Sequence, residues 1–199
     1  MSSSLTAEIA AAAARLVVEE GMEYGPAKRR AARSLGKNST RSAEMPDNTV
    51  IEHEVRAYLA LFCADTQPAE LAALREAAVH WMERLAEFRP HLTGAVWRGT
   101  ATRLSGVHLQ LFCDDSKSAE ISMLNQGIDF EIGSITGPRN LPVDVLRVSS
   151  PSRALGEEVT LFLTVLDHDD LRGGLKPAAN GQPQRGDLAA LRHLMETKT

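Results

Sequence analysis

A chain of 199 residues, 43% apolar and 24% charged, with 14 glycines and 9 prolines, has the composition of an ordinary globular protein of one or two domains, which excludes disordered, collagenous and fibrous classes. No window approaches the roughly 18 uninterrupted apolar residues of a membrane span, and Met1-Ser2-Ser3-Ser4-Leu5 has neither region of a secretory signal, so the expected location is the cytoplasm, away from any membrane. The net charge of −4 gives no global attraction to nucleic acid, and Cys63 and Cys113, far apart within apolar segments, read as small buried hydrophobes rather than a disulfide or a thiolate metal site.

The front half reads as helical. Leu5, Ile9, Ala12, Ala13, Leu16 and Val17 recur at helical spacing, predicting a helix over 5–20 that stops at Glu19-Glu20-Gly21. Pro26 at a tolerated first-turn position and Gly36 beyond the end predict a second helix over 26–35, followed by a polar loop over 36–48. Thr49-Val50-Ile51-Glu52 has the capping-box pattern and opens a third helix over 50–63. Leu71, Leu74, Ala78, Trp81, Met82, Leu85 and Phe88 form the apolar stripe of a fourth, closed by Arg89-Pro90.

Beyond Pro90 the period changes from 3.6 to 2. Strands are predicted over 93–97, 107–112, 128–132, 143–148 and 159–166, with a helix over 116–126 led in by Asp114-Asp115 and ended by Gly127. Residues 133–142 and 173–186 read as loops, and Asp187 caps a closing helix over 188–195. The expected fold class is α+β, with an N-terminal helical segment of about four helices packed on a small mixed β-sheet; the expected division is a helical region over 1–89 and an α/β domain over 90–199.

The informative stretch is Gly94-Ala95-Val96-Trp97-Arg98-Gly99-Thr100-Ala101, followed by Ser105-Gly106-Val107-His108-Leu109-Gln110-Leu111-Phe112. A strand, a Gly-containing turn with small hydroxylated residues, and a second strand after a short interval resemble the core of the nucleotidyltransferase superfamily, the fold of DNA polymerase beta and of the small antitoxin-type nucleotidyltransferases. The resemblance covers roughly 90–170, and it implies a Gly-Ser or Gly-Thr turn beside the nucleotide phosphates, for which Gly99-Thr100 is the match, with Ser105 matching the serine that precedes the aspartates. The family's paired aspartates then fall on Gly106 and His108, and the best match for its third carboxylate is Glu158. The implied member is degenerate, without its paired catalytic aspartates. A hard cation such as Mg²⁺ wants oxygen ligands, which Gly and His supply poorly, so no cofactor is expected unless the carboxylates regroup.

Independently of the family, Gly106, His108 and Gln110 share one strand face while Val107, Leu109 and Leu111 form the other. His108 has the chemistry of a general base or soft-metal ligand, against a plain polar sheet surface. Asp114-Asp115 suits helix capping better than metal binding, and Asp167-His168-Asp169-Asp170 reads as a solvated turn. Trp97, beside Arg98, is placed to stack a base or to pack. Lys28, Arg29, Arg30, Arg33, Lys37 and Arg41 form a basic segment without Asp or Glu, whose layout resembles the start of helix-turn-helix repressors without a recognition helix beyond Gly36. No Walker loop, Gly-x-Ser-x-Gly elbow or His-Glu-x-x-His occurs.

Three functions follow. One is a nucleotidyltransferase-like protein with a degenerate metal site, catalytically inactive and acting by binding a nucleotide, nucleic acid or protein partner through positions such as Gly99, Thr100 and Ser105. The second is an active, Mg²⁺-dependent nucleotidyltransferase in which Glu158, Asp114 or Asp115 regroup, with His108 assisting. The third is a nucleic-acid-binding module using Arg29, Arg30 and Arg33 within 28–41.

Overall fold

The computed structural model describes residues 2–36, 45–173, 181 and 183–197; Lys37 and Arg41 of the basic segment lie outside the described residues. The chain forms two compact units, Met1–Ala69 with Thr100–Ser105, and Glu70–Gly99 with Gly106–Thr199.

The first unit is built on α1 (Ser2–Glu20), α2 (Tyr24–Ser34) and α3 (Asn48–Phe62). Its core is unusually rich in alanine: Ala10, Ala13, Ala14, Ala27, Ala31 and Ala32 join Ile9, Val18, Ile51, Val55 and Leu59. Small side chains let helix backbones approach closely, and Ile9, Ile51 and Val55 fill what remains. Gly21 leaves α1 at φ +67°, and a Cβ there would lie 2.7 Å from the Leu104 carbonyl oxygen, so only glycine makes this exit. The cap of α3 is Asp47 rather than Thr49: its carboxylate accepts the Thr49 N–H at 3.4 Å.

The second unit carries most of α4 (Gln67–Arg84) and the sheet. The predicted stripe of α4 is buried, with Trp81 3%, Leu85 0% and Phe88 5% exposed. The regular helix stops at Arg84, a short 3₁₀ turn takes Ala86–Phe88, and Arg89 turns left-handed at φ 46° ahead of Pro90, whose ring disfavours the right-handed helical region for its predecessor.

The strand predicted over 93–97 is corrected. β1 is His91–Thr93, and residues Gly94–Arg98 form a short helix, α5. Gly94 turns the chain at φ 75°, and Gly99 ends α5 at φ 83°. Arg75, 4% exposed, donates Nε to the Val96 carbonyl at 3.2 Å and Nη2 to the Trp97 carbonyl at 3.4 Å, supplying donors to carbonyls the helix end leaves open. A five-residue apolar run has no period long enough to separate strand from helix.

β2 is Val107–Phe112, α6 Ser118–Asn125, β3 Glu131–Thr136, β4 Pro142–Ser152 and β5 Glu157–Leu166. α7 (His168–Gly173), β6 (Arg185–Gly186) and α8 (Leu188–Glu196) complete the chain. The fold is α+β, with one mixed six-stranded sheet in the order β3-β4-β5-β2-β1-β6. β2 and β5 are parallel, and every other neighbouring pair is antiparallel. Two further expectations change. β3 begins later than 128 and runs through what reads as a loop, because an edge strand exposed on all six residues carries no burial alternation. Residues 168–170 are helical rather than a plain turn, with Asp167 accepting the Asp169 N–H at 2.9 Å.

One face of the sheet's centre is apolar and closed: Val107, Leu109, Leu111, Leu161 and Leu163 are 0% exposed. Trp81 stands over this side, donating its indole N–H to Ser150 at 2.9 Å. The opposite face positions the candidate site.

Candidate functional site

Parallel pairing sets His108 beside Phe162 and Gln110 beside Thr164, and antiparallel pairing sets Thr93 beside His108 and Arg147 beside Phe162. Partners in register share a face, so Gly106, His108 and Gln110 look onto the same surface as Thr160, Phe162 and Thr164. The imidazole of His108 and the ring of Phe162 stack, with centroids 4.8 Å apart and planes 14° from parallel. Gly106 lies under the edge of that ring: a Cβ at 106 would meet Phe162 Cε2 at 2.5 Å and Cδ2 at 2.9 Å. At the other end, Arg185 donates to the Gln110 side-chain oxygen at 2.7 Å and to the Leu171 carbonyl at 2.9 Å, with its guanidinium 4.9 Å from the Phe112 ring centre. Burial pulls the Arg185 pKa down, opposed by Asp170. The segment that brings Arg185 is itself held: Trp97 donates its indole N–H to the Pro183 carbonyl at 2.9 Å, Thr93 its hydroxyl to the Gln184 carbonyl at 3.1 Å, and Gly186 leaves room for the Trp97 ring. The Trp97 ring is thus engaged in packing.

The other predicted residues have local partners. The turn directly after β1 is Gly94-Ala95, where a Cβ at 94 would lie 3.5 Å from His108 Cδ2. Gly99-Thr100 comes instead after α5, Gly99 donating its N–H to the Ala95 carbonyl at 2.9 Å. Thr100 is 3% exposed and its hydroxyl has no hydrogen-bond partner among the described residues. Ser105 accepts the Thr102 N–H on its hydroxyl at 3.0 Å and returns its own N–H to the Thr102 carbonyl at 2.9 Å, closing a tight local turn. Glu158, near the start of β5, accepts the Ser149 hydroxyl at 2.6 Å. Asp115 accepts the Lys117 N–H at 2.9 Å, and Asp114 sits 3.9 Å from His168. Asp114 and Asp115 follow the far end of β2, so the strand pair separates them from Glu158 by roughly 30 Å at about 3.3 Å per residue. Arg29, Arg30 and Arg33 are exposed on α2; Arg30 pairs with Glu20, and Arg33 donates to the Arg29 carbonyl at 3.3 Å.

Phe162 and Arg185 escaped the sequence reading. A signal for Phe162 was present: in Val159-Thr160-Leu161-Phe162-Leu163-Thr164 the alternation sets an aromatic between two threonines on the polar face. Arg185 gave none, since a two-residue strand has no period.

The donor set does not suit a divalent cation of the kind the resemblance implies. Gly106 offers no ligand, His108 one nitrogen that is stacked, and Phe162 nothing, whereas Mg²⁺ requires a shell of oxygens. Among the described residues, no three of His, Cys, Asp and Glu come together to hold a metal.

No family model and no curated protein matches the chain. Among solved structures, the Cid1 poly(U) polymerase in its MgGTP-bound form is similar at 13% identity and a TM-score of 0.37, over 57% of this chain. The match spans 38% of the polymerase, well under half its length, and residue roles in this chain rest on its own geometry.

Proposed function

We propose that this chain is a nucleotidyltransferase-like protein with a degenerate metal site, acting by binding rather than by metal-dependent nucleotidyl transfer. One observation carries the reading: the strand that follows Ser105 presents Gly106 and His108 where the family has its aspartates, and the neighbouring strand lays Phe162 over both. Phosphoryl transfer leans on positioned cations that neutralise charge on the transferring group, and positions 106, 108 and 162 supply no carboxylate for them. Glu158 is engaged with Ser149, and Asp114 and Asp115 stand beyond the opposite end of the strand pair, which removes support from a regrouped site. The test is incorporation of label from ATP, CTP, GTP or UTP into protein or RNA with Mg²⁺, run beside Glu158→Ala. The expected result is no incorporation above background. Robust incorporation abolished by Glu158→Ala overturns the proposal in favour of an active transferase.

A second reading has its own observation. Arg29, Arg30 and Arg33 are exposed within little more than one turn of α2, with Ala27, Ala31 and Ala32 on the buried side. Exposed guanidinium groups at this spacing suit phosphates, and binding through them falls steeply with salt. Retention of duplex DNA, single-stranded DNA or RNA at low salt, lost on replacing the three arginines by alanine, supports a nucleic-acid partner. No retention at low salt ends that reading.

A further inference from the structure

We infer that the outer edge of β3 is a dimerisation surface, and that its occupant is β3 of a second copy of this chain, antiparallel across a two-fold axis at Ser134. β3 closes the sheet on one side, and no strand among the described residues pairs with its outer edge. An open edge is a row of unpaired N–H and C=O groups, which proteins ordinarily blunt with lysine, proline or a bulge. None of these devices is present along β3. Its ladder to β4 is unbroken from Glu131 to Thr136, and its one charge, Glu131, is already paired with Arg147 at 2.7 Å. Ile132 and Ile135 nevertheless stand 56% and 50% exposed.

Backbone direction and side-chain parity pick out one register. Gly137 donates its N–H to the Leu141 carbonyl at 2.7 Å, toward β4, so by alternation Gly133 and Ile135 also direct their backbone groups to β4, while Ile132, Ser134 and Thr136 direct theirs outward. A two-fold axis normal to the sheet sets each residue against one of its own parity. Centred on Ser134, it sets Ile132 against Thr136 of the second copy, Ser134 against Ser134 and Thr136 against Ile132, pairs that together exchange about six hydrogen bonds. Between them Ile135 faces Gly133 of the second copy in a non-hydrogen-bonded pair, with Cα atoms about 4.5 Å apart. The space for that side chain exists: a Cβ at Gly133 would meet nothing nearer than the Val145 carbonyl oxygen at 3.8 Å. Slipping the pairing loses the fit. One neighbouring register sets Ile135 against Glu131, and the other sets Ile132 against Pro138, which has no N–H to give. The strand is complementary to itself, which favours a second copy over an unrelated extended peptide.

Strand pairing alone lies at the small end of interface sizes, so the dimer is weak. Sedimentation of the full-length protein is expected to show one chain's mass giving way to two, with a midpoint on the order of 10 µM. Ser134→Pro removes an outward N–H without touching the ladder to β4, and Ile135→Lys brings a charge to the paired edge. Each is expected to raise the dissociation constant about tenfold or more while keeping the wild-type melting curve in dilute solution. Ser134→Cys is expected to form a disulfide between two copies, because Cα atoms of a hydrogen-bonded pair stand about 5.5 Å apart. Mass spectrometry of the linked peptides separates that bond from links through Cys63 or Cys113. Ile135→Cys should cross-link with Gly133→Cys and not with itself. A protein that stays monomeric up to about 1 mM overturns the inference and leaves the edge to an extended peptide of another protein. A dimer that both Ser134→Pro and Ile135→Lys leave intact overturns the place of β3 in it, and open-ended assembly overturns the two-fold axis. If Ser134→Pro does not fold, its N–H points to β4 and the register is overturned.

Discussion

The two faces of strands β2 and β5 are built on different rules. On one, Val107, Leu109, Leu111, Leu161 and Leu163 are fully buried, and any set of apolar side chains of similar volume would serve. On the other, each residue is fitted to one partner: a ring to a missing side chain at Gly106, an imidazole to that ring, an amide at Gln110 to the guanidinium of Arg185. The first face is specified by volume and the second by pairs. A substitution on the first should therefore cost stability in proportion to the hole it leaves, and one on the second should cost less and depend on what the partner holds.

The largest effect is expected where a helix covers the apolar face. Trp81→Ala removes a buried ring, its hydrogen bond to Ser150 and the stacking partner of Arg84, and should cost about 3–5 kcal/mol in denaturant unfolding. An unchanged curve would mean that the α4 stripe faces water. Leu109→Ala, in the centre of β2, should cost about 2–5 kcal/mol. Its neighbour His108→Ala, half-exposed on the other face, should cost below about 1.5 kcal/mol, since a polar-face residue leaves little cavity. Equal losses at 108 and 109 would erase the distinction between the faces.

The sequence exposes these two rules unequally. Volume shows through periodicity, which is why α4, β2, β5 and the capped α8 stand close to where the alternation of residues 71–88, 107–112, 159–166 and 188–195 sets them. Elements held by pairing alone left no such trace: β3 is exposed throughout, β6 has two residues, and α5 depends on Arg75 reaching across from a residue nineteen positions before the helix starts. The site divides in the same way. Gly106, His108 and Gln110 could be placed on one face by parity. That Phe162 would be their neighbour depends on a parallel pairing across some fifty residues, with α6, β3 and β4 between, which no local pattern encodes.

Arg185 is a half-buried charge on the polar side of the strand pair's far end. Burial lowers its pKa, its Nε has no partner among the described residues, and its other donors hold Gln110 and the Leu171 carbonyl. Arg185→Ala should cost about 1–3 kcal/mol, combining lost hydrogen bonds with the lost cover over Phe112. Gln110→Ala alone should cost about the same as the pair Gln110→Ala/Arg185→Ala relative to Arg185→Ala only if the two side chains act independently. A coupling near zero in that cycle would show that the amide and the guanidinium are neighbours without being partners.

The smallest effect belongs to polar groups with no burial to amplify them, and the first unit supplies the case. Tyr58 donates its hydroxyl to Glu19 Oε1 at 2.5 Å, and Arg15 donates to Glu19 Oε2 at 2.9 Å one helical turn away. The Tyr58 hydrogen bond first, and Arg15 second, hold the Glu19 carboxyl below its ordinary 4.5, while the same hydrogen bond raises the Tyr58 phenol above 10.0. A carboxyl whose pKa is depressed by folding stabilises the fold above its unfolded value, and that contribution is lost as pH falls through the folded value. A phenol whose pKa is raised contributes below its unfolded value, and that contribution is lost as pH rises through the folded one. Tyr58→Phe should therefore lower the melting temperature of the helical unit by a near-constant small amount between about pH 5 and pH 10, with the difference from wild type closing on both sides. Salt should weaken the Arg15 contribution more than that of the neutral Tyr58 hydroxyl, because screening acts on the exposed charge pair. A difference that stays constant down to about pH 2 would place the cost of Tyr58→Phe in its ring packing against Phe62, centroids 4.6 Å apart, and not in the hydroxyl at all.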